Sequence, residues 1–263
     1  MKKLAFLILP FLFALPSPNL SAEEIKLASW NIRNISDASR SDAELGIISL
    51  VLFRYDFIAI QEVRTDDKAI KRIQKILKDD FQVDYEIDVS GPVGDKGERY
   101  AFLWRKDRIS QTKAGSFYSD TNDQFVREPY CGSFQASSFD WTLCAVHIKF
   151  GANQADRRPE IEAMDDVYRA IKAQGQERDI ITCGDFNFPP TDHGWDELKS
   201  EDLMSFAMSS PARTTIGDKS LYDNCWWPTF TSEVILGSGE VYEFDELMYP
   251  EGAVCRAWLS THL

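Results

Sequence analysis

Short apolar runs and alternating apolar and polar positions dominate this chain, and both patterns are typical of β-strands. Apolar residues recur every three to four positions in fewer stretches, as amphipathic helices require. Helices are predicted over 42–55, 67–78 and 155–174. Strands are predicted over 25–32, 57–63, 99–105, 109–117, part of 124–135, 141–150 and 180–183, with shorter ones near 221–226, 230–231 and 241–244.

The predicted strands outnumber the predicted helices, and the helices are interspersed among the strands rather than grouped. This order favours an α+β fold in which two packed, mainly antiparallel sheets are flanked by helices, an α/β/β/α four-layer sandwich. The chain of 263 residues shows no internal repeat, low-complexity segment or linker. We therefore expect a single domain over residues 23–263.

Residues 1–22 differ in composition from the rest of the chain. Lys2 and Lys3 precede an apolar run over 4–15, and a short polar stretch then ends at Ala22. This layout predicts a signal peptide, because the run is too short to span a bilayer. We expect the mature protein to be periplasmic or secreted, monomeric and without a membrane span.

The formal net charge is −13, so the protein has no general electrostatic attraction for nucleic acid or anionic membranes. A polyanionic substrate would need a metal ion and a few arginines close to the site. Five cysteines allow at most two disulfides, and their spacing is not that of a zinc site. Cys144 and Cys183 lie in apolar strand-like runs, which predicts buried free thiols.

Polar residues able to bind a metal ion or a phosphate stand at the downstream ends of several predicted strands. They are Asn31, Glu62, His147, Asp185 and Asn187. If these strand ends meet at one edge of the sheets, their side chains form a cluster of carboxylates, amides and an imidazole. This coincidence of position is a stronger indication of a site than any one of the residues.

Each of these residues also has a structural interpretation when it is taken alone. Asp185 and Asn187 point to the same side if the backbone stays extended beyond Gly184, but an Asx-rich turn is the common alternative. His147 fits a hydrogen-bonded histidine of the core, and Glu62 fits a strand that runs out into solvent. Their shared position at strand ends favours the site.

The same residues lie in sequence blocks that resemble those of the endonuclease/exonuclease/phosphatase superfamily, in particular its deoxyribonuclease I-like nucleases. The blocks occur in the family's order and span almost the whole mature chain. They are Ser29-Trp30-Asn31-Ile32-Arg33, Ile60-Gln61-Glu62-Val63-Arg64, Glu98-Arg99-Tyr100-Ala101-Phe102, Val126-Arg127-Glu128-Pro129, Val146-His147-Ile148, Gly184-Asp185-Phe186-Asn187 and Leu221-Tyr222-Asp223-Asn224. The resemblance implies the family's four-layer fold and a hydrolase that cleaves phosphodiester bonds.

The resemblance also implies a role for each residue of the cluster. Glu62 would bind Mg²⁺ with Asn31 beside it, and Mn²⁺ or Ca²⁺ are alternatives to Mg²⁺. Asp185 would orient or activate the attacking water, and Asn187 would bind the phosphate. His147 would transfer protons and stabilise the charged transition state.

Five further residues take roles from the same resemblance. Glu98 would partner the catalytic histidine, although a glutamate in a glycine-rich loop also fits a solvated charge. Asp223 would orient the family's second histidine, which His262 matches. Arg64 and Arg127 would bind backbone phosphates bidentately and so supply the attraction that the net charge lacks. The implied substrate is therefore DNA.

The C-terminal end departs from the family's pattern. The family closes with Ser-Asp-His and a last apolar strand, whereas this chain ends Ser260-Thr261-His262-Leu263. Thr261 replaces an aspartate whose charge normally supports the site, and the closing strand is absent. Two alternatives therefore stay open beside an exported DNA endonuclease. One is an inactive relative that keeps the fold as a binding module, and the other is a phosphoesterase acting on a phospholipid or small phosphoester.

Overall fold

The computed structural model describes residues 24–175, 177–215 and 219–244 of the chain. The predicted signal peptide over 1–22 lies outside these residues, and so do Thr261 and His262. Within the described ranges, no helix has the length and apolar character needed to cross a membrane.

The described residues form two β-sheets. Their strands are β1 (Leu27–Ile35), β2 (Phe57–Val63), β3 (Tyr85–Val89), β4 (Arg99–Arg105), β5 (Ser110–Phe117), β6 (Tyr130–Ala136), β7 (Phe139–His147), β8 (Ile180–Asp185), β9 (Met204–Phe206) and β10 (Asp223–Pro228). The first sheet has the order β1-β2-β4-β3, and the second has the order β5-β6-β7-β8-β10-β9. The pairs β1–β2 and β7–β8 are parallel and the other neighbours are antiparallel, which confirms two mainly antiparallel sheets.

Helices cover the outer faces of both sheets. They are α1 (Asp42–Leu52), α2 (Lys68–Phe81), α3 (Gln154–Glu162), α4 (Met164–Gln174) and α5 (Asp196–Ser200). The three predicted helices form, and α1 begins at a capping box in which Ser41 and Glu44 exchange hydrogen bonds. The predicted helix over 155–174 is divided at Ala163 into α3 and α4. The apolar spacing did not reveal this division because it continues across the break.

Three hydrophobic clusters separate the layers of the sandwich. One lies between α1, α2 and the first sheet, and another lies between α3, α4 and the second sheet. The third lies between the sheets and is rich in aromatic rings, with Phe57 and Phe134 in contact with each other and both in contact with Phe102 and Trp141. Helix, sheet, sheet and helix therefore stack in the predicted four layers.

The short elements differ most from the sequence prediction. The chain forms β3, an edge strand, and β9, neither of which was predicted. The residues near 230–231 and 241–244 form no strand. Pro228 ends β10 and a turn follows, so pairing stops there.

The prediction of free thiols at Cys144 and Cys183 was wrong. Cys131 on β6 faces Cys144 on β7, and Cys183 on β8 faces Cys225 on β10. Both pairs form disulfides, with Cα atoms 4.0 and 4.1 Å apart respectively. The strand register brings each pair together, and spacing along the sequence does not reveal a register.

Candidate active site

The downstream ends of four strands meet at one edge of the sandwich. Within each parallel pair, β1–β2 and β7–β8, the two strands end at the same side of their sheet. Across the sheets, β1 contacts β8, and β2 contacts β7 and β8. The convergence of strand ends that the sequence suggested is therefore present.

An irregular backbone directs Glu62 toward this edge. The register of β2 against both neighbours shifts around Glu62, whose φ of 62° lies in the left-handed region. Arg33 and Asn34 on the facing part of β1 are also left-handed, with φ of 48° and 54°. A bulge of this kind bends a strand end and re-aims its side chains. Left-handed backbone in residues other than glycine is typical of functional sites.

One amide group connects the two carboxylates of the cluster. Asn31 Nδ2 donates to Glu62 Oε1 and to Asp185 Oδ2, each at 3.0 Å. The Asn31 oxygen accepts from the backbone N–H of Arg33 at 3.0 Å, which fixes the orientation of the amide. The other Glu62 oxygen accepts from the backbone N–H of Asn34, also at 3.0 Å. Asn31 thus presents its nitrogen to the carboxylates and holds them close together.

His147 stands between this carboxylate pair and a third carboxylate. Its Nδ1 lies 2.8 Å from Glu98 Oε2, and its Nε2 lies 3.8 Å from Glu62 Oε1 and 3.9 Å from Asp185 Oδ2. Glu98 is only 5% exposed, so its interpretation as a solvated charge is wrong. An imidazole held at one nitrogen by a carboxylate presents its other nitrogen in a fixed direction, as proton transfer requires.

Two arginines hold Glu98 from the other side. Arg64 Nη2 lies 3.1 Å and Arg127 Nη1 lies 3.5 Å from Glu98 Oε1. Burial alone would raise the pKa of Glu98, but His147 and the two guanidinium groups together lower it. Arg64 also donates to Asn34 Oδ1, and Arg127 Nε donates to the carbonyl oxygen of His147 at 2.8 Å. In this structure both arginines therefore organise the charged network of the site.

Gly184 allows the pairing that places His147 and Asp185 side by side. Strand β8 continues through Gly184, and His147 is the register partner of Asp185. A Cβ atom at Gly184 would lie 1.9 Å from the carbonyl oxygen of Val146, so only glycine fits this close approach.

The backbone does not stay extended beyond Asp185, which corrects one expectation. Asn187 has φ of 51°, and its N–H donates to Asp185 Oδ1 at 2.9 Å, as in an Asx turn. The Asn187 side chain is buried and donates to the carbonyl oxygen of Ile148 at 2.7 Å. The Asx turn therefore forms together with the cluster of site residues. Through its bond to Ile148, the Asn187 side chain also holds the segment that follows His147.

Asp223 begins the strand next to Asp185. It is the register partner of Asp185, and its N–H donates to Thr214 Oγ1 at 2.9 Å. Burial and the neighbouring Asp185 carboxylate raise the pKa of Asp223 well above its usual value. The role of Asp223 toward His262 stays a prediction because His262 lies outside the described residues.

The oxygen groups at this edge fit a hard divalent cation. Glu62 and Asp185 each direct an oxygen at the same Asn31 nitrogen, and both carboxylates keep partial contact with solvent. Among the described residues, no three His, Cys, Asp or Glu side chains are arranged to enclose a metal ion. Mg²⁺ is bound by one or two carboxylates and keeps several waters, so it suits this donor set, whereas zinc does not.

Two residues that support the site were not among those predicted. The backbone N–H of Asn34 holds Glu62, and Thr214 Oγ1 accepts from both Tyr222 and Asp223. Asn34 directly follows the block from Ser29 to Arg33 that was singled out, and asparagine tolerates left-handed backbone, so a weak signal existed. Thr214 carries no such signal, because its role depends on a loop meeting β10.

The comparisons with known proteins agree with this geometry. The profile of the Endonuclease/Exonuclease/phosphatase family matches residues 28–236. A protein named deoxyribonuclease from Thioalkalivibrio sp. (strain K90mix) is 32% identical over 221 residues, covering 80% of this chain but only 60% of its own length. Deoxyribonuclease-1 of Sus scrofa is 31% identical over 210 residues, covering 74% of this chain and 73% of its own.

A solved structure shows the same fold. The endonuclease/exonuclease/phosphatase family protein from Bacteroides thetaiotaomicron superimposes with a TM-score of 0.58. It is 20% identical, and the match covers 78% of this chain and 83% of that protein. The chain therefore belongs to the endonuclease/exonuclease/phosphatase family and has its deoxyribonuclease I-like four-layer fold.

Proposed function

We propose that this protein is an exported, Mg²⁺-dependent endonuclease that hydrolyses the phosphodiester bonds of DNA. The observation that carries the proposal is the position of His147, with one nitrogen on Glu98 and the other facing Glu62 and Asp185. Relatives named deoxyribonuclease support DNA as the substrate. The signal-peptide pattern over 1–22 supports export.

Glu62 is the residue best placed to hold the cation, with Asp185 beside it. A bound Mg²⁺ would polarise a phosphate oxygen and offset the negative charge that develops on it. Asn31 was predicted as a second ligand. Its Nδ2, rather than its oxygen, faces Glu62 and Asp185, so we assign Asn31 the task of holding the two carboxylates in register.

The chain's own groups can manage the protons of the reaction. Asp185 accepts the proton of the attacking water and orients that water toward phosphorus. His147 donates a proton from Nε2 to the oxygen that leaves, while Glu98 keeps the ring in place through Nδ1. The bond from phosphorus to the leaving oxygen breaks as the bond to the water oxygen forms, in line with it.

Local positive charge would bring the anionic DNA to an acidic protein. Arg64 and Arg127 use some of their N–H groups on Glu98, Asn34 and His147, and the remaining N–H groups can bind phosphate oxygens. Asn187 donates one amide hydrogen to Ile148, which leaves the second for the phosphate.

The test is nicking of supercoiled plasmid by the purified protein with Mg²⁺ and with EDTA. The wild type should nick the plasmid only with Mg²⁺, and His147→Ala should lower the rate by about 10²- to 10⁴-fold. His193→Ala is the matched control, because the His193 side chain is 70% exposed and should not affect the rate.

Two outcomes would contradict the proposal. One is the absence of nicking by folded wild-type protein, and the other is equal nicking by wild type and His147→Ala. Release of phosphocholine or inorganic phosphate from other esters, without nicking, would instead assign the same chemistry to a phospholipid or a small phosphoester.

A further inference from the structure

A buried guanidinium group that has no ion-pair partner within the described part of the chain lies near the candidate active site. Arg157 on α3 is only 6% exposed. Its Nε and Nη1 atoms are buried and have no hydrogen-bond acceptor among residues 24–175, 177–215 and 219–244. Burying a charged group without hydrogen bonds is costly, so such a group needs a specific explanation.

Aromatic rings surround the Arg157 guanidinium in place of acceptors. Its central carbon lies 4.6 Å from the ring centre of Phe150, 5.1 Å from that of Phe188 and 5.5 Å from that of Tyr222. Cation–π contacts of this kind compensate part of the lost hydration but none of the lost hydrogen bonds. The Nε and Nη1 groups of Arg157 therefore lack an acceptor among the described residues, and an anion reaches them only when a covering ring moves aside.

The three rings come from the segments that carry the active site. Phe188 follows Asn187 directly, Tyr222 precedes Asp223, and Phe150 is the third residue after His147. Asn187 also binds the carbonyl oxygen of Ile148, which anchors the segment leading to Phe150. Arg157 thus contacts three segments that directly adjoin His147, Asn187 and Asp223 in the chain.

Phe150 is the exposed member of this group. Phe150 is 61% exposed, whereas Phe188 is buried. Gly151 follows in left-handed backbone, with φ of 62°. One face of the Phe150 ring lies toward Arg157, and the exposed part is open to a planar ligand.

We propose that Phe150 and Arg157 form a subsite for a nucleotide that flanks the scissile phosphate. The Phe150 ring turns outward and stacks on the base of this nucleotide, and the Arg157 guanidinium binds its phosphate. A base within a duplex is already stacked on both faces, so the subsite binds an unpaired base and favours single-stranded DNA. The inference rests on the proposed nuclease function for the class of ligand, and binding measurements test it separately.

Binding of a fluorescein-labelled thymidine decanucleotide, measured by anisotropy, tests the stacking contact. The measurements use the full chain with Mg²⁺ in the His147→Ala background, which slows cleavage. Phe150→Leu should raise Kd by about 5- to 100-fold, as expected for the loss of one stacked base. Phe150→Trp should keep Kd within about threefold, because indole also stacks.

Two further ligands separate stacking from other contacts of the ring. A decamer of abasic units should bind equally to the parent and to Phe150→Leu, since it has no base to stack. A hairpin duplex should lose less affinity than the single strand. Unchanged Kd for the thymidine decamer in Phe150→Leu, or equal losses for all three ligands, would overturn the proposal.

The salt dependence of binding tests the phosphate contact. Loss of one phosphate contact to a single strand should lower the slope of log K against log salt by about 0.7 in Arg157→Met. Arg158→Met is the matched control on α3, because Arg158 is already paired with Asp192. Circular dichroism checks that both variants fold, and an unchanged slope in folded Arg157→Met would overturn the proposal.

The nuclease proposal and the subsite can fail independently. A wild type that nicks plasmid, with Phe150 variants that bind as the parent does, would leave the nuclease assignment and remove the subsite. A wild type without hydrolysis, with the predicted changes in Kd and slope, would leave a nucleotide-binding site on an inactive relative.

Discussion

Strand β2 follows one carboxylate and ends near another, and the surroundings of the two differ. Asp56, just before β2, lies 2.6 Å from Arg108 Nη1 and 3.8 Å from Arg105 Nη1, and it accepts the N–H of Lys26 at 2.8 Å. Glu62, at the other end, is held by an amide and a backbone N–H, with an imidazole at 3.8 Å. Permanent positive charges thus neutralise Asp56, whereas Glu62 faces groups that can exchange a proton or yield to a cation.

Strand β8 of the second sheet also has carboxylates at both ends, but those at its upstream end are not neutralised as Asp56 is. Asp185 at its downstream end belongs to the candidate active site. At its upstream end Glu177 and Asp179 share a pocket with Asp140 and Glu233. There the carboxyl groups interact with one another, and burial followed by the hydrogen bond with Asp140 raises the pKa of Glu177 to about 7.

A carboxylate at a strand end is therefore not by itself an indication of catalysis. Fixed counterions compensate the buried charge of Asp56, so removal of Asp56 alone should destabilise the fold. The groups around Glu62 carry no permanent positive charge, so its carboxylate is less stabilised and remains free to bind a cation. A trade-off between stability and activity predicts this difference. Substitution of Glu62 should therefore lower activity without lowering stability, and substitution of Asp56 should lower stability without lowering activity.

Glu62→Gln should have the largest effect and should act on activity alone. It keeps the shape of the side chain but removes the charge that would hold a cation, so hydrolysis should fall by at least about 10²-fold. The free energy of unfolding should stay the same or rise, since one of two neighbouring carboxylates is neutralised. The rate with bis(4-nitrophenyl) phosphate and urea unfolding measure the two quantities.

Glu86→Gln is the control for this substitution. Glu86 lies on β3, its side chain is 45% exposed and it pairs with Lys106 at 3.1 Å, so its loss should change neither quantity measurably. Activity of Glu62→Gln within about threefold of wild type would contradict the role of Glu62 in hydrolysis.

Asp56→Ala should have the opposite signature and lower stability. It leaves Arg108 and Arg105 without their buried partner, which should cost about 2–3 kcal/mol of unfolding free energy. Hydrolysis per folded molecule should be unchanged, because Asp56 lies at the far end of β2. Urea unfolding and the rate at low temperature measure the two effects.

Asp107→Ala is the matched control for Asp56→Ala. Asp107 also pairs with Arg105, at 2.7 Å, but its side chain is 62% exposed, so its loss should cost less than about 1 kcal/mol. Equal losses in the two variants would show that burial does not distinguish these ion pairs.

The sequence was sufficient to predict the candidate site residues at the downstream ends of the strands. Glu62, His147 and Asp185 follow apolar runs that predict strands, and such runs are a local property of the chain. Because strand order in two packed sheets follows from few arrangements, the convergence of those ends could be inferred. Family blocks around the same residues added roles but no distances.

The partners of the upstream residues could not be predicted, for a physical reason. Asp56 meets Arg108 across 52 positions, and Cys183 meets Cys225 across 42, through register and loop paths that local patterns do not encode. The Arg157 group depends likewise on where α3 packs. The orientation of the Asn31 amide follows from left-handed backbone at Arg33, which no residue preference specified.

Glu98→Gln should have a smaller effect on activity than Glu62→Gln. It preserves contact with His147 but removes the charge that His147 and the two arginines share, so kcat/KM should fall by about 10- to 100-fold. Glu98→Asp restores the charge at a shorter reach and should recover part of the loss. A loss in Glu98→Asp as large as in Glu98→Gln would show that geometry, rather than charge, is what Glu98 supplies.

The smallest expected effect is a pH-dependent change in stability on substitution of Glu177, at the upstream end of β8. The Glu177 pKa of about 7 lies above the value near 4.3 expected in the unfolded chain. The stabilising contribution of protonated Glu177 is therefore complete below about pH 4.3 and is lost as pH rises through 7. Glu177→Gln removes this loss and keeps an oxygen that can accept the N–H of Asp179.

Glu177→Gln should thus resemble wild type near pH 4.5 and be more stable by about 1 kcal/mol at pH 8, after allowance for solvent screening. Urea unfolding in EDTA at the two pH values measures this difference, with Glu86→Gln as the control in the other sheet. A stability difference that is the same at both pH values would mean that Glu177 does not titrate between them. The upstream carboxylates of β8 would then be compensated as Asp56 is, and the upstream ends of β2 and β8 would no longer differ.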